Sequence, residues 1–203
     1  MPSKSPITDK RGNPVGLNTE MTLIPRAQKG DKQAFKQIVN MYQHRVLKVA
    51  HSLVGNSHDA HDVTQEVFIR LYRFLPRFNH NKRFFTWLYR IIVNASYDFL
   101  KKENRFRTVP LDHISETNYS MNNPQTMHQK EIKGKIYELL EALTTLQKTA
   151  FILRDVEGFS CKETAKIMKS SSGTIRSHLS YARARLRKLL KKYYPELLEG
   201  IVE

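Results

Sequence analysis

Residues 158–192 read GFSCKETAKIMKSSSGTIRSHLSYARARLRKLLKK. Ser160 and Glu163 stand at capping-box spacing, where each side chain satisfies an orphan backbone N–H at the start of a helix. Ala165, Ile167 and Met168 give a short helix its apolar side. The run SSSG is a turn. Ile175, Leu179, Ala182, Leu186, Leu189 and Leu190 then share one face of a longer helix. Short helix, tight turn and longer amphipathic helix make the helix-turn-helix pattern. The polar face of the second helix carries Arg176, Ser177, Ser180, Tyr181, Arg183 and Arg187. Its first turn would enter a major groove, where Arg bonds guanine edges and Ser bonds phosphate. The plainer reading is a solvated basic helix, but cap, turn and charge all favour DNA. His178 either touches DNA or covers the turn. Cys161 and Met168 read as packing residues.

The rest of the chain extends this charge. Its 203 residues carry a formal net charge of +15. Such an excess favours a polyanionic partner, because basic side chains that neutralise phosphates release condensed counterions. No run approaches the ~20 apolar residues of a membrane-spanning helix, and the N-terminus lacks the apolar core of a signal peptide. Cys161 is the single cysteine, which excludes an internal disulfide and predicts a cytoplasmic protein.

The charge falls in two blocks. Residues 21–107 carry +10 and 131–195 carry +8, while 108–130 carry −1 and 196–203 carry −3. The middle stretch is rich in Asn, Ser, Thr and Pro and reads as a flexible linker. Residues 1–20 read as a disordered tail, and 196–203 as an acidic tail. Both basic blocks have helical periodicity. Asp31 is an expected N-cap, followed by apolar residues from Phe35 to Leu53. A second stripe runs from Ala60 to Leu75 and stops at Pro76. A third helix is predicted from Phe84 to Lys102, with Trp87, Leu88, Ile91, Ala95 and Phe99 inward. In the second block Ile136, Leu139, Leu140, Leu143 and Leu146 form another stripe, then a helix passes through Phe151 and Leu153. The fold class is all-α: two small helical bundles joined by a flexible linker, the C-terminal one a helix-turn-helix.

Half of the chain's 20 aromatics lie between Tyr72 and Phe106. A core explains some of them. It does not explain Arg77, Lys82, Arg83, Arg90, Lys101, Lys102, Arg105 and Arg107 among them. Charge combined with exposed rings suits unstacked bases, since stacking a base on a ring gains ~1–3 kcal/mol. Expelling a base from the duplex costs a few kcal/mol, so stacking in a pocket offsets it. The first block therefore reads as a binder of single-stranded DNA and the second as a reader of duplex.

One helix of the first block is exceptional. Asp59, Asp62 and Glu66 lie opposite its apolar stripe in an otherwise basic chain. They complement the dipole at a helix N-terminus or dock a basic protein partner. The competing function class is an enzyme acting on DNA, which needs a carboxylate or His cluster for metal ions. His51, His58, Asp59, His61 and Asp62 are the only candidates; His58 and Asp62 share a face, and His61 turns away. A plain helix-turn-helix regulator is the other alternative, and it leaves the aromatic-basic block unexplained.

These stretches resemble a known family. DAHDVTQEVFIRLYRFLPRF, followed by FFTWLYRIIVNASYDFLKK, resembles region 2 of the bacterial extracytoplasmic-function (ECF) sigma factors, and RAQKGDKQAF resembles its start. LTTLQKTAFILRDVEGFSCKETAKIMKSSSGTIRSHLSYARARLRKLL resembles their region 4. The resemblance implies a non-enzymatic alternative sigma factor without a cofactor. It assigns region 2, for core polymerase and −10 binding, to 21–107, and region 4, for −35 binding, to 131–195. Such a protein binds core RNA polymerase, at the clamp of the largest catalytic subunit and the flap of the second largest. It directs the polymerase to promoters and helps to melt DNA, so its DNA partner is both double- and single-stranded. Asp59, Asp62, Gln65, Glu66 and Arg70 match the polymerase-docking helix. Arg77, Phe78, Asn79, His80, Asn81, Lys82 and Arg83 match the loop that captures a flipped −10 base, and Trp87, Arg90, Asn94 and Lys101 follow on the next helix. Ser172, Thr174, Arg176, Ser177, His178, Tyr181, Arg183 and Arg187 match the −35 reader. Pro25 is expected in a first helical turn, where a missing N–H is harmless. The resemblance also implies an anti-sigma factor as a partner, a cytoplasmic bacterial location with tethering at the inner membrane through that partner, and no membrane insertion by the chain itself.

Overall fold

The computed structural model describes residues 17–106 and 138–195, with side chains for 22–103 and 138–195. The described residues are helical and contain no strand. The first bundle holds α1 (Leu17–Gln28), α2 (Lys32–Val54), α3 (Ser57–Phe74) and α4 (Phe84–Phe106), with a 3₁₀ turn at Leu75–Arg77. The second holds a helical stretch at 138–141, α5 (Thr145–Phe151), a wide π-type turn at Ile152–Val156, α6 (Cys161–Met168) and α7 (Ser172–Tyr193).

Local chemistry sets the ends. Asp31 Oδ1 accepts from the Gln33 and Ala34 N–H groups at 2.9 and 3.0 Å and caps α2. Arg26 donates to the other oxygen of that carboxylate, at 3.0 Å from Nε and 2.8 Å from Nη2. At the far end Gly55 takes φ +93, a left-handed backbone that glycine adopts without Cβ strain. A Cβ there would also lie 2.7 Å from Glu141 Oε1. Asn56 caps α3, and Pro76 starts the 3₁₀ turn where its missing N–H costs nothing. The predicted Ser160–Glu163 capping box is formed, and Thr144 and Gln147 form a second one at α5. Lys169 closes α6 at φ +52, the only non-glycine residue of positive φ among those described.

Four expectations need correction. The tail predicted for residues 1–20 overlaps α1, which begins at Leu17; residues 1–16, 107–137 and 196–203, with all of the predicted linker, the predicted acidic tail and Ile136, lie outside the described residues. Pro25 lies inside α1, not in its first turn. Leu146 is 47% exposed, because Thr144 caps a new helix and resets the phase of the stripe. Tyr72, which falls in the apolar stripe running from Ala60 to Leu75, is exposed too, held edge-on to Phe35 with ring centroids 5.0 Å apart.

The larger finding is how the bundles meet. In α4 the expected Leu88, Ile91 and Ala95 are buried, but so are Tyr89, Ile92, Val93 and Ser96, while Trp87 and Phe99 are half-buried. A helix buried over so much of its circumference has two partners. α2 and α3 cover one side, and the second bundle covers the other. Phe159 stacks on Phe85 at 5.4 Å and meets Tyr89 edge-on at 4.7 Å. The Tyr97 hydroxyl donates to Thr149 Oγ1 at 2.9 Å. One continuous apolar cluster thus runs through both bundles. Burying a ring such as Phe159 is worth about 1.5–3 kcal/mol, so the seam is a packed interface.

Candidate nucleic-acid interface and docking face

α3 carries the acidic face, but its charges are not equally available. Asp59 Oδ2 accepts from Asn56 Nδ2 at 2.6 Å, and the Asp59 N–H donates to Asn56 Oδ1 at 2.9 Å. It therefore serves the helix start. Arg70 donates to Glu66 Oε1 and to Asp98 Oδ2, both at 2.6 Å, and ties α3 to α4. Burial opposes ionisation of Arg70, and the two carboxylates outweigh it, holding its pKa above the usual value. Asp62 and Gln65 stay exposed. Beside them Phe35, Phe68, Ile69, Tyr72 and Arg73 line an open apolar groove, in which Ile69 and Tyr72 are 52% and 55% exposed. This face of α3 is thus acidic at its start and apolar at its end.

The loop before α4 is preorganised. Asn79 Oδ1 accepts the Asn81 N–H at 2.8 Å, and the Lys82 N–H donates to the Asn79 carbonyl at 3.0 Å. Gln28, on α1, donates to the carbonyls of Leu75 and Phe78 at 2.9 Å each, and its Oε1 meets His80 Nε2 at 2.5 Å. The Phe78 ring is buried and lies 4.8 Å from the Trp87 ring centroid. Phe78 therefore supports the loop from beneath instead of offering a free face. Arg77, Asn79, His80, Asn81, Lys82 and Arg83 are exposed. Trp87, Arg90, Asn94 and Lys101 recur at offsets of three, four and seven residues, which places them along one face of α4. The first three are half-buried and Lys101 is exposed. Arg83 alone of the loop is engaged across the seam, with Nη1 donating to Glu163 Oε1 at 2.6 Å.

In α7 the buried face is Ile175, Leu179, Ala182 and Leu186. Arg176, Ser177, Tyr181 and Arg187 are exposed, Tyr181 at 67%. Ser172 and His178 are half-buried. The Ser171 hydroxyl caps the helix by accepting the Thr174 N–H at 3.0 Å, and it also bonds the Thr174 hydroxyl at 2.9 Å. Arg183 makes a two-pronged pair with Asp155, Nε to Oδ2 at 2.9 Å and Nη2 to Oδ1 at 2.7 Å. Those bonds raise its pKa, and Arg183 reaches any ligand only with its remaining N–H groups. The Ser177 hydroxyl donates to the Gly173 carbonyl at 3.3 Å, so the exposed Arg176 guanidinium leads the start of α7, and with Arg183 fixed behind it this face suits a groove with phosphates along its edge.

Sequence reasoning missed Gln28, Asp98, Asp155 and Glu157, each of which holds a predicted residue or the seam. Their partners are 28 to 68 residues away, and no local spacing signals them. Among the described residues there is no group of three or more His, Cys, Asp and Glu placed to hold a metal ion, and no helix long and apolar enough to cross a membrane.

Comparison with known proteins agrees with this architecture. Residues 38–106 match the family described as Sigma-70 region 2, and residues 133–186 match Sigma-70, region 4. The chain is 36% identical over 174 residues to the ECF RNA polymerase sigma-E factor of Escherichia coli (strain K12), covering 81% of this chain and 91% of that one. It is 32% identical over 181 residues to the RNA polymerase sigma-H factor of Pseudomonas aeruginosa, covering 85% and 94%. Among solved structures, the sigma factor RpoE in complex with the anti-sigma factor NepR from Bartonella quintana aligns with a TM-score of 0.61 at 26% identity, over 77% of this chain and 96% of that one. CnrH in complex with the cytosolic domain of CnrY shares the fold, with a TM-score of 0.65 at 24% identity, over 86% and 99%. Two helical bundles, a helix-turn-helix and these matches over most of the sequence lead to one assignment: the chain belongs to the sigma-70 family of RNA polymerase sigma factors, in its extracytoplasmic-function group.

Proposed function

We propose that this alternative sigma factor divides its work between its two bundles. Acting by binding and without chemistry of its own, it brings core RNA polymerase to promoters and helps to melt them. The exposed Asp62 and Gln65 and the adjoining groove of α3 dock the polymerase clamp, with Arg70 bracing that helix. The loop 77–83 and the face of Trp87, Arg90, Asn94 and Lys101 hold the separated −10 strand. Ser172, Thr174, Arg176, Ser177, His178, Tyr181 and Arg187 read the −35 duplex, and Arg183 supports them. The carrying observation is the loop, which is pinned by Gln28 and Phe78 while its basic and amide side chains stay exposed. Preorganised donors on a rigid base lower the cost of ordering a flipped nucleotide. An anti-sigma factor is the second partner, and the working location is the cytoplasm.

Run-off transcription with core polymerase on a promoter library tests this reading. Defined start sites that depend on the added chain are expected. Core polymerase that gains no start site, or a chain that fails to co-elute with it, would refute the proposal.

A further inference from the structure

The seam between the bundles has a chemistry that packing alone does not require. Glu157 is a carboxylate with a side chain only 7% exposed. Its Oε2 accepts from the Tyr89 hydroxyl at 2.5 Å, and Arg45 and Lys48 approach its two oxygens at 3.8 and 3.9 Å. Both cations stand outside hydrogen-bonding distance. The carboxylate thus fills an anion position without saturating its donors. Two residues on, Phe159 is 2% exposed, stacked on Phe85 and edge-on to Tyr89. Arg45 lies over the other partner of that stack, with its guanidinium carbon 5.0 Å from the Phe85 centroid. Residues two apart in a regular strand would share a face, but 157–159 is a turn, and Gly158 at φ +79 sets it. The turn therefore delivers one flat ring and one anion together into a slot of two rings, two cations and a hydroxyl.

A ring between aromatic walls beside an anion between cations is also the chemistry by which proteins hold one unit of single-stranded nucleic acid. The base stacks, and the phosphate takes the charged groups. Arg45 and Lys48 lie on α2, and Phe85 and Tyr89 lie on the side of α4 turned away from Trp87, Arg90, Asn94 and Lys101, so the slot is a second strand contact, separate from the loop and α4 face assigned above. The first bundle presents the slot and the second bundle fills it. Hydrophobic seams need no buried carboxylate, since burying an ion costs several kcal/mol unless partners compensate.

We propose that Arg45, Lys48, Phe85 and Tyr89 form a binding site for one nucleotide of single-stranded DNA, which Glu157 and Phe159 occupy in place of phosphate and base while the bundles are closed. The site rests on the reading of the first bundle as the melted-strand binder. Geometry gives it a role in timing. The −10 and −35 elements are centred about 25 base pairs apart by name, or ~85 Å of duplex at 3.4 Å per pair. A chain whose α6 is tied to the −10 loop by the 2.6 Å bond from Arg83 to Glu163 cannot span that distance. The bundles must separate to engage both elements, and separation empties the slot as melted bases become available.

The test is fluorescence anisotropy of the full chain with a labelled 12-nucleotide single strand at low salt. Glu157→Gln keeps the shape and removes the anion; we expect at least fivefold tighter binding. Phe159→Leu removes the ring that stands in for the base and leaves every residue of the slot intact, and a smaller gain is expected. Glu138→Gln removes an equal charge elsewhere and should match the wild type. Adding Arg45→Ala and Lys48→Ala to Glu157→Gln should abolish the gain. Thermal melting checks that each variant is folded; should Glu157→Gln not fold, Phe159→Leu alone decides. Wild-type affinity in both seam variants, or a gain that survives loss of Arg45 and Lys48, overturns the site. Trp87→Ala separates the two failures: if it weakens strand binding while Arg45 and Lys48 do not matter, only the slot is refuted. If neither matters, the melted-strand reading of the whole bundle falls.

Discussion

Arg83 and Glu163 meet across the seam at 2.6 Å, through one oxygen of a carboxylate whose other oxygen accepts the Ser160 N–H at 3.0 Å and the Ser160 hydroxyl at 2.7 Å. One side chain thus caps the first helix of the helix-turn-helix and holds the loop before α4 of the other bundle. Both tasks need it ionised or at least acceptor-rich, which couples the domain contact to pH. Burial pushes Glu163 towards the neutral acid, but the Ser160 bonds and the Arg83 charge prevail, and its pKa lies below the ordinary 4.5. A lowered carboxylate pKa adds stability that is complete above about 4.5 and is lost as pH falls through the lowered value. The urea midpoint should therefore drop on acidification below pH 4.5 more steeply in the wild type than in Glu163→Gln. Glutamine still completes a capping box, so the variant keeps the helix start and loses only the charge. Parallel pH profiles for the two proteins would contradict this.

Gly55 meets two demands at once. Alanine would have to adopt φ +93, and its Cβ would sit 2.7 Å from Glu141 Oε1. Glu141 in turn accepts from the buried Lys148 ammonium at 2.5 Å. Left-handed strain alone costs roughly 1–2 kcal/mol for an L-residue. Gly55→Ala should lower stability by about that amount in urea titration, with an added loss if Glu141 is displaced from Lys148. An unchanged midpoint would mean that the α2–α3 corner relaxes freely.

Arg176 is exposed at the start of α7, where a bidentate contact to a base edge is worth about 1–3 kcal/mol. Arg176→Ala should weaken duplex binding at the −35 element about tenfold, and promoter occupancy by the holoenzyme should follow. Binding of a single-stranded −10 oligonucleotide should not change. Equal loss on both substrates would point to a general charge effect.

Asp62 is exposed on α3, and substitutions at such positions usually change stability by less than 0.5 kcal/mol. Asp62→Lys reverses the charge of the docking face. Co-elution with core polymerase should fall sharply while the melting temperature stays put. Retained co-elution would move the docking face away from α3.

Much of the fold was legible because its signals are local. Asp31, Ser160–Glu163 and Pro76 each act within a few residues of themselves, and all stand where the sequence put them. The stripe of α7 was equally plain. The recognition face was legible as residue types at helical spacing, but not as a network. Nothing local in the sequence marks the pairing of Arg183 with Asp155 or the burial of Phe78 beneath its loop. The domain seam was hidden for a stronger reason. Tyr89 looks redundant in a helix that already has a core face, and the second bundle supplies Glu157 and Phe159 as its partners. Glu157, read alone, is one more charge in a turn.

Lys169 closes α6 at φ +52, where glycine would rest without strain. The turn between the two helices of the DNA reader is therefore wound slightly against its side chain's preference, and it holds an ammonium group near the entry of α7. Replacement by glycine should make the isolated fold sturdier and the promoter grip weaker and less sensitive to salt. Durability and function pull in opposite directions at this position.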